Sequence, residues 1–443
     1  MAACCRRAWA ALLLALLVAG PAAAAPIPRL LAGAASVDIA LPEGTPLAGY
    51  GGFPRRAWFP DVLDRHPYAF WFRPSQGVHD AVKARALVLD DGRGGLIWLA
   101  IDLVGADPSL ILELRGRLVR AGVNANGLML SASHTHSGPG AYAASALFAF
   151  VAVDSPAPQV RGAILDALER AAREAYARRA PARVGTGVSE VTGITRSRLR
   201  APLDPELGVL KVVAADGRPI ALVWNYAIHG TALGRDNLLV SGDLMAEASS
   251  RIERRLGVPA LFVNGAVGDV SPAARGWSGA AQIGERLARE ALAVWDRVTP
   301  EADARVDLAA GRAALPAPAA SARNCLGRWL PGWLRLSLGA ALPRTAELLA
   351  VRIGAGVWVS VPGELQTRLG REIKAARRGR FEHVFVAGVS NDYLGYFLDA
   401  DAYAKPSYIA CASLYGERGG ELVRDAAVAL LARLGAAAEA GPR

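Results

Sequence analysis

Strand-length apolar runs alternate with helix-period segments along most of the chain, and this alternation constrains the fold more than any other feature. Ala86 to Leu89 and Leu96 to Ile101 read as strands around an Asp91-Gly92 turn. Pro108 to Val119 reads as a helix opened by Asp107-Pro108. Leu128 to Ser131 is a short strand, and Val160, Ile164, Leu165, Leu168, Ala171, Ala172 and Ala175 keep a helical period over Pro158 to Arg178. Val209 to Val213 and Ile220 to Ile228 are strand-like, Asp243 to Leu256 is a helix, and Leu261 to Asn264 is a buried strand. Ile283, Leu287, Leu292 and Trp295 mark another helix, Leu348 to Val361 and Val384 to Val389 are strand-rich, and a last helix spans about Glu421 to Leu434. This order predicts an α/β fold with a mixed β-sheet core flanked by helices. No repeat, linker or charge block interrupts residues 26–443, so a single large domain is expected there. With 52% hydrophobic and 20% charged residues, such a chain buries a large core and is not disordered.

Residues 1–25 read as a signal peptide. Arg6 and Arg7 precede an apolar run from Ala8 to Ala19, and Gly20-Pro21 leads into Ala22 to Ala25. The run is shorter than the roughly 20 residues a membrane span needs. Cleavage near Ala25 and a secreted or periplasmic location are expected. Cys4 and Cys5 leave with that segment, while Cys325 and Cys411 remain; export permits a disulfide between them, and buried free thiols are the alternative. The formal charge is +10, from 50 Lys+Arg against 40 Asp+Glu. Only Lys83, Lys211, Lys374 and Lys405 are lysines, and the arginines are dispersed among acidic residues. There is no basic tail or basic–aromatic ladder, which argues against a nucleic-acid partner and leaves an anionic lipid or substrate open.

Leu326 to Leu342 departs from the pattern. It carries Trp329, Leu330, Trp333, Leu334, Leu336 and Leu338 with Arg328 and Arg335 between them. One reading makes it an excursion covering the core; the other makes it an exposed apolar and basic surface in peripheral contact with an anionic membrane.

The chain has six histidines, His66, His79, His134, His136, His229 and His383. His134 and His136 flank one threonine after an apolar strand and precede Ser137-Gly138-Pro139-Gly140; extended backbone puts both rings on one side. His229 ends another apolar strand and precedes Gly230-Thr231. Histidines at strand ends beside small residues suit metal ligation or acid–base work. There is no H-E-x-x-H, G-x-S-x-G or Walker loop. Asn264 to Pro272 is a Gly-rich loop after a strand; its amides could hold an oxyanion, or it is a tight turn, and Ser271 is a candidate donor or nucleophile. Pro362-Gly363-Glu364 and Ser390-Asn391-Asp392-Tyr393-Leu394-Gly395-Tyr396 also follow strands, so His, His, Glu and Tyr stand at four strand ends, where ligand sites of α/β sheets lie.

Ser133-His134-Thr135-His136-Ser137-Gly138-Pro139-Gly140 resembles the histidine motif of the neutral (non-lysosomal) ceramidases. Similar pieces follow in that family's order: Gly77-Val78-His79-Asp80, Thr195-Arg196-Ser197, Ile228-His229 with Ser241-Gly242-Asp243, Gly268-Asp269-Val270-Ser271-Pro272, Pro362-Gly363-Glu364, and Asn391 to Tyr408. The resemblance implies a zinc amidohydrolase acting on the N-acyl bond of ceramide or a related N-acyl lipid, with one Zn2+ per chain. It implies His134, His229, Glu364 and Tyr396 as ligands, with Tyr393 as rival to Tyr396. His136 would be an acid–base or transition-state residue beside the metal, and Arg196, Ser271 and Tyr408 would position substrate or stabilise the oxyanion. A zinc with N and O ligands and one open position brings its water to a pKa of about 7 and polarises a carbonyl, which suits amide cleavage. Two departures stand out: the family's additional C-terminal β-sandwich domain is expected to be absent, and Cys325 to Leu342 does not match. The alternatives are a metal-independent serine hydrolase using Ser271 with His136, and a non-catalytic lipid-binding protein of the same fold.

Overall fold

The computed structural model describes residues 29–439 apart from 94, 124–126, 303 and 377–380. The expected signal peptide lies outside the described residues. Two β-sheets carry the architecture. The larger has eight strands, β1 (Leu31–Asp38), β2 (Lys83–Asp90), β3 (Gly95–Ile101), β4 (Gly127–Ala132), β5 (Ala180–Glu190), β6 (Glu206–Ala214), β7 (Pro219–Tyr226) and β8 (Ala260–Asn264). Their spatial order is β8-β7-β6-β5-β1-β2-β3-β4. Only the outer pairs β3–β4 and β7–β8 are parallel. The smaller sheet has β9 (Val306–Ala314), β10 (Thr345–Ile353), β11 (Gly356–Ser360) and β12 (His383–Ala387) in chain order, with β11–β12 parallel. Six longer helices accompany them: α1 (Pro108–Arg120), α2 (Pro158–Ala177), α3 (Asp243–Leu256), α4 (Gly276–Arg297), α5 (Thr367–Ala375) and α6 (Gly419–Glu439).

Side-chain alternation along the strands sorts these elements into four layers. In β3, Ile97, Leu99 and Ile101 pack with α1 and α2, while Leu96, Trp98 and Ala100 face the second sheet. In β7, Leu222 and Trp224 join α3 and α4, while Ala221 and Val223 face inward. In the smaller sheet, Val351, Trp358 and Phe385 face the first sheet, whereas Ala350, Val357, Val359, Val384 and Val386 pack under α5 and α6. The order is therefore helices, sheet, sheet, helices, a mixed-sheet α/β core with helices on both outer surfaces. Trp98 and Trp358 meet edge-on across the sheet interface with centroids 5.4 Å apart, a pairing worth about 0.5–1.5 kcal/mol beyond its burial.

One connection recurs three times. A hairpin is followed by a crossover helix and a strand parallel to the hairpin's second arm: β2-β3-α1-β4, β6-β7-α3-β8 and β10-β11-α5-β12. Each unit leaves the carboxyl ends of two parallel strands side by side. Buried amides tie these ends together. Asn225 donates through Nδ2 to Val263 O at 2.9 Å and Val386 O at 2.9 Å, joining both sheets. Asn264 donates to Ser133 O at 3.2 Å and Ile228 O at 3.0 Å and accepts from the Ile228 amide.

The segment 326–342 does not cover the core except at Leu342, which packs against the cluster under α5 and α6. Leu326, Trp329, Trp333 and Leu336 are 71%, 78%, 80% and 70% exposed, at the end of a small hairpin formed by Ala319–Ser321 and Arg335–Ser337. Cys325 and Cys411 form a disulfide that ties this hairpin to the helix Tyr408–Cys411. No helix among the described residues is long and apolar enough to cross a membrane.

Candidate metal centre

The loop after β4 carries His134 and His136, and the loop after β7 carries His229. The loops lie side by side: Thr135 bridges Gly230 in parallel fashion, and the His136 amide donates to Gly230 O at 2.8 Å. His134 adopts φ of 65°, a left-handed turn that sends its ring toward His229. Ring centroids of His134 and His229 are 4.7 Å apart, and those of His134 and His136 are 4.9 Å apart. Ligating nitrogens of the three lie within 4.8 Å of one another, so this group could hold a metal ion. His66, His79 and His383 are not part of it; His79 stacks on Trp277 at 3.8 Å and contacts Asp80.

The smaller sheet adds the carboxylate. Glu364, four residues past β11, is buried, with Oε1 3.4 Å from His134 Nε2 and Oε2 2.8 Å from His229 Nε2. Tyr393, after β12, donates to Glu364 Oε1 at 2.6 Å. Tyr396 places its hydroxyl 3.5 Å from His229 Nε2 and 2.6 Å from the Tyr408 hydroxyl. Sequence reading left these two tyrosines as rivals. The structure gives them different partners, with Tyr393 on the carboxylate and Tyr396 on the imidazole.

The donor set fits a divalent ion that takes nitrogen and oxygen ligands. His134 Nδ1 donates to Val104 O at 2.5 Å, which fixes the tautomer and turns the Nε2 lone pair toward the cluster. Glu364 Oε2 has no hydrogen-bond donor despite its buried position, and the buried Nδ1 atoms of His136 and His229 have no partner. A carboxylate oxygen packed against imidazole nitrogens without a donor is costly unless a cation joins them, and N/O sets of this kind suit Zn2+. Burial would raise the Glu364 carboxyl, but the adjacent His134 and His229 outweigh it and hold it well below the usual range. Burial, with His134 and His229 adding to it, keeps His136 well below the usual imidazole range. Burial and then Glu364 push the Tyr396 phenol well above its usual range.

Arg198 is the participant that sequence reading missed. Its Nε donates to Ser271 Oγ at 2.8 Å, and its NH1 donates to the hydroxyls of Tyr396 at 3.1 Å and Tyr408 at 2.5 Å. Burial would lower its pKa, but Tyr396 and Tyr408 outweigh this and keep the guanidinium charged. Arg196 stands at the cavity rim instead, with Nε 3.3 Å from Pro272 O. The two arginines are two residues apart, and Arg196 sits opposite Ser271 in the pairing of Thr195–Ser197 with Val270–Pro272. Alternation puts both on one side of the chain, so spacing does not distinguish them, and the resemblance points to Arg196 alone.

The Gly-rich loop proves to be a brace. The amides of Gly265, Gly268 and Val270 donate to Tyr226 O, Leu365 O and Val267 O, so these three are not available to an oxyanion. Ser271 accepts from Arg198, and among the described residues no histidine hydrogen-bonds it.

His136, Arg196, Arg198, Ser271, Glu364, Tyr393, Tyr396 and Tyr408 line one cavity of about 1250 Å3, whose walls include Phe148, Val151, Leu338, Leu342, Leu394 and Ile409. Gly49 packs against the His136 ring: a Cβ there would lie 2.5 Å from it, and φ is 100°, so both space and backbone demand glycine.

Residues 66–288, half of the chain, match the N-terminal profile of the neutral/alkaline non-lysosomal ceramidases. Neutral ceramidase of Pseudomonas aeruginosa is 29% identical over 227 residues, covering 46% of this chain and 34% of that protein. Neutral ceramidase of Oryza sativa is 26% identical over 235 residues, covering 48% and 30%. The matched part thus spans about a third of these relatives. The crystal structure of the Pseudomonas aeruginosa neutral ceramidase superimposes with a TM-score of 0.77 at 22% identity, over 93% of this chain and 75% of that one. A ceramidase complexed with C2 gives the same TM-score at 21% identity.

Proposed function

The chain belongs to the neutral/alkaline non-lysosomal ceramidase family, and from that premise we propose that it is a zinc-dependent hydrolase of the N-acyl bond of ceramide or a related N-acyl lipid, releasing a fatty acid and a sphingoid-type amine. One observation carries the proposal: a carboxylate and three histidines from three strand ends converge beside a cavity lined both by apolar side chains and by hydroxyl and guanidinium groups.

In this reading His134, His229, Glu364 and Tyr396 hold one Zn2+. Bound there, the ion would supply Lewis acidity and a nucleophile usable at neutral pH. Tyr393 orients Glu364 through its 2.6 Å hydrogen bond. Neutral His136 accepts a proton at Nε2 from the attacking water and delivers it to the leaving amine nitrogen, the step an amide needs most because a free amide anion is a poor leaving group. Arg198, Ser271 and Tyr408 form a polar row that donates to the carbonyl oxygen as charge builds on it, while Arg196 at the rim contacts the head group. The apolar wall takes the acyl chain. Against the serine-hydrolase alternative, Ser271 accepts from Arg198 and no histidine among the described residues hydrogen-bonds it.

Residues 26–443 act as one catalytic domain exported after cleavage near Ala25. The Cys325–Cys411 disulfide supports an oxidising compartment, and N-terminal sequencing of the exported protein tests the cleavage site. For the activity, the protein is incubated with ceramide, an N-acylethanolamine, an N-acyl amino acid and an ester lipid, and fatty acid and amine are quantified by mass spectrometry. Equimolar release of both from an amide lipid, abolished by chelation and restored by Zn2+, is expected. Release from none of them would leave the lipid-binding alternative; release unaffected by chelation would refute the metal assignment.

A further inference from the structure

We infer that the hairpin of residues 319–337 docks the protein on an anionic lipid bilayer with the cavity mouth facing the membrane. Its tip exposes Leu326, Trp329, Trp333 and Leu336 at 70–80% each, a run of large apolar side chains of the kind that marks an interaction surface. Tryptophan with an apolar body and a polar N–H suits the interfacial zone of a bilayer.

Charge selects the kind of surface. Between Asp307 and Glu347 the chain has five arginines, Arg312, Arg323, Arg328, Arg335 and Arg344, and no acidic residue. Arg323, Arg328 and Arg335 are exposed beside the apolar tip, so the apolar groups can enter the acyl boundary while the guanidinium groups meet phosphates.

Position ties the tip to the site. Ala320, Leu338 and Leu342 line the cavity from the hairpin side. The disulfide from Cys325 reaches Cys411 on the helix that begins with Tyr408, so the tip is covalently held in register with a residue of the polar row. A second loop bordering the mouth adds exposed Phe53, Trp58 and Phe59; Phe53 lines the cavity and packs at a tilt against Trp58, with ring centroids 4.8 Å apart. That loop carries Asp61 and Asp64 against Arg55, Arg56 and Arg65, and Arg55 is buried, so the larger excess of exposed positive charge belongs to the hairpin.

The inference shares the lipid reading of the site but is tested without substrate. The full protein is sedimented with ceramide-free vesicles of phosphatidylcholine alone, or with about 30 mol% phosphatidylglycerol to bring the surface potential into the range of anionic membranes. Binding to the anionic vesicles with a blue shift of tryptophan emission is expected. W329S/W333S and R328E/R335E, each with unchanged circular dichroism, should lower partitioning roughly ten-fold or more. Equal binding to both vesicle types, no binding, or retained binding by W329S/W333S overturns the inference, as does a concentration-dependent dimer that W329S/W333S dissolves without changing vesicle binding. Binding without hydrolysis of any lipid would sustain docking and refute the proposed activity; hydrolysis of dispersed lipid without vesicle binding would do the reverse.

Discussion

Replacing Arg198 by methionine keeps most of the side-chain stem and removes the charge that organises three hydroxyls. In the parent, the guanidinium reaches Ser271 at 2.8 Å, Tyr396 at 3.1 Å and Tyr408 at 2.5 Å. Hydrogen bonds to a charged group are worth about 1.5–3 kcal/mol each, but the three share one guanidinium and do not add independently. Tyr396 and Tyr408 keep their mutual bond at 2.6 Å, so a stability loss of about 2–3 kcal/mol is expected. The larger effect falls on catalysis. Loss of a donor aimed at developing negative charge costs about 10²–10³ in kcat, or about 3–4 kcal/mol. Because that charge is absent from the ground state, kcat falls and KM changes little. Arg198 is not among the proposed ligands, so metal content is unchanged. Arg198→Lys restores the charge with fewer donors and recovers about ten-fold of the loss. Initial rates of fatty-acid release with metal analysis of the same samples decide the matter. An R198M variant within three-fold of the parent in kcat, or one that loses its metal, would refute the argument.

Three further outcomes follow from local geometry. Gly49→Ala pushes a methyl group into the His136 ring at a backbone φ of 100°; activity should drop at least about 100-fold while the metal stays bound, and parental activity would contradict the role given to His136. Arg85→Met leaves Asp102 buried without its partner at 3.2 Å and unties Glu253 of α3; denaturant unfolding should show a loss of about 3–5 kcal/mol, and a loss under about 1 kcal/mol would contradict it. Burial raises the Asp243 carboxyl from 3.8 to about 6, so its contribution to stability is fully present below about pH 4 and is lost as pH rises through 6. Asp243→Asn also tolerates the φ of 57° there; its thermal-melting advantage over the parent should grow between about pH 4 and 6 and then level off, and a pH-independent difference would refute the assignment.

Most individual strands and helices were legible in the sequence, because their apolar runs and helical periods are long. The arrangement in four layers was not. A strand such as Gly95–Ile101 is apolar on both faces, and only the fold shows that Ile97 and Leu99 meet helices while Leu96 and Trp98 meet a second sheet. The candidate site was readable where chemistry and position coincide: His134, His136, His229, Glu364, Tyr396, Ser271 and Tyr408 all reach one cluster or its cavity. Arg198 was not readable, because one arginine among many carries no local mark and its neighbour Arg196 satisfies the same alternation. The exposure of segment 326–342 was equally hidden, since Trp and Leu at these spacings serve a core as well as a surface.

The proposed chemistry rests on a zinc ion held by His134, His229, Glu364 and Tyr396. Elemental analysis of the purified full chain, alongside H229A and E364Q, is the decisive measurement. About one zinc per chain is predicted for the parent, with about a tenth or less in either variant. Parental zinc content in both variants would rule out His229 and Glu364 as ligands.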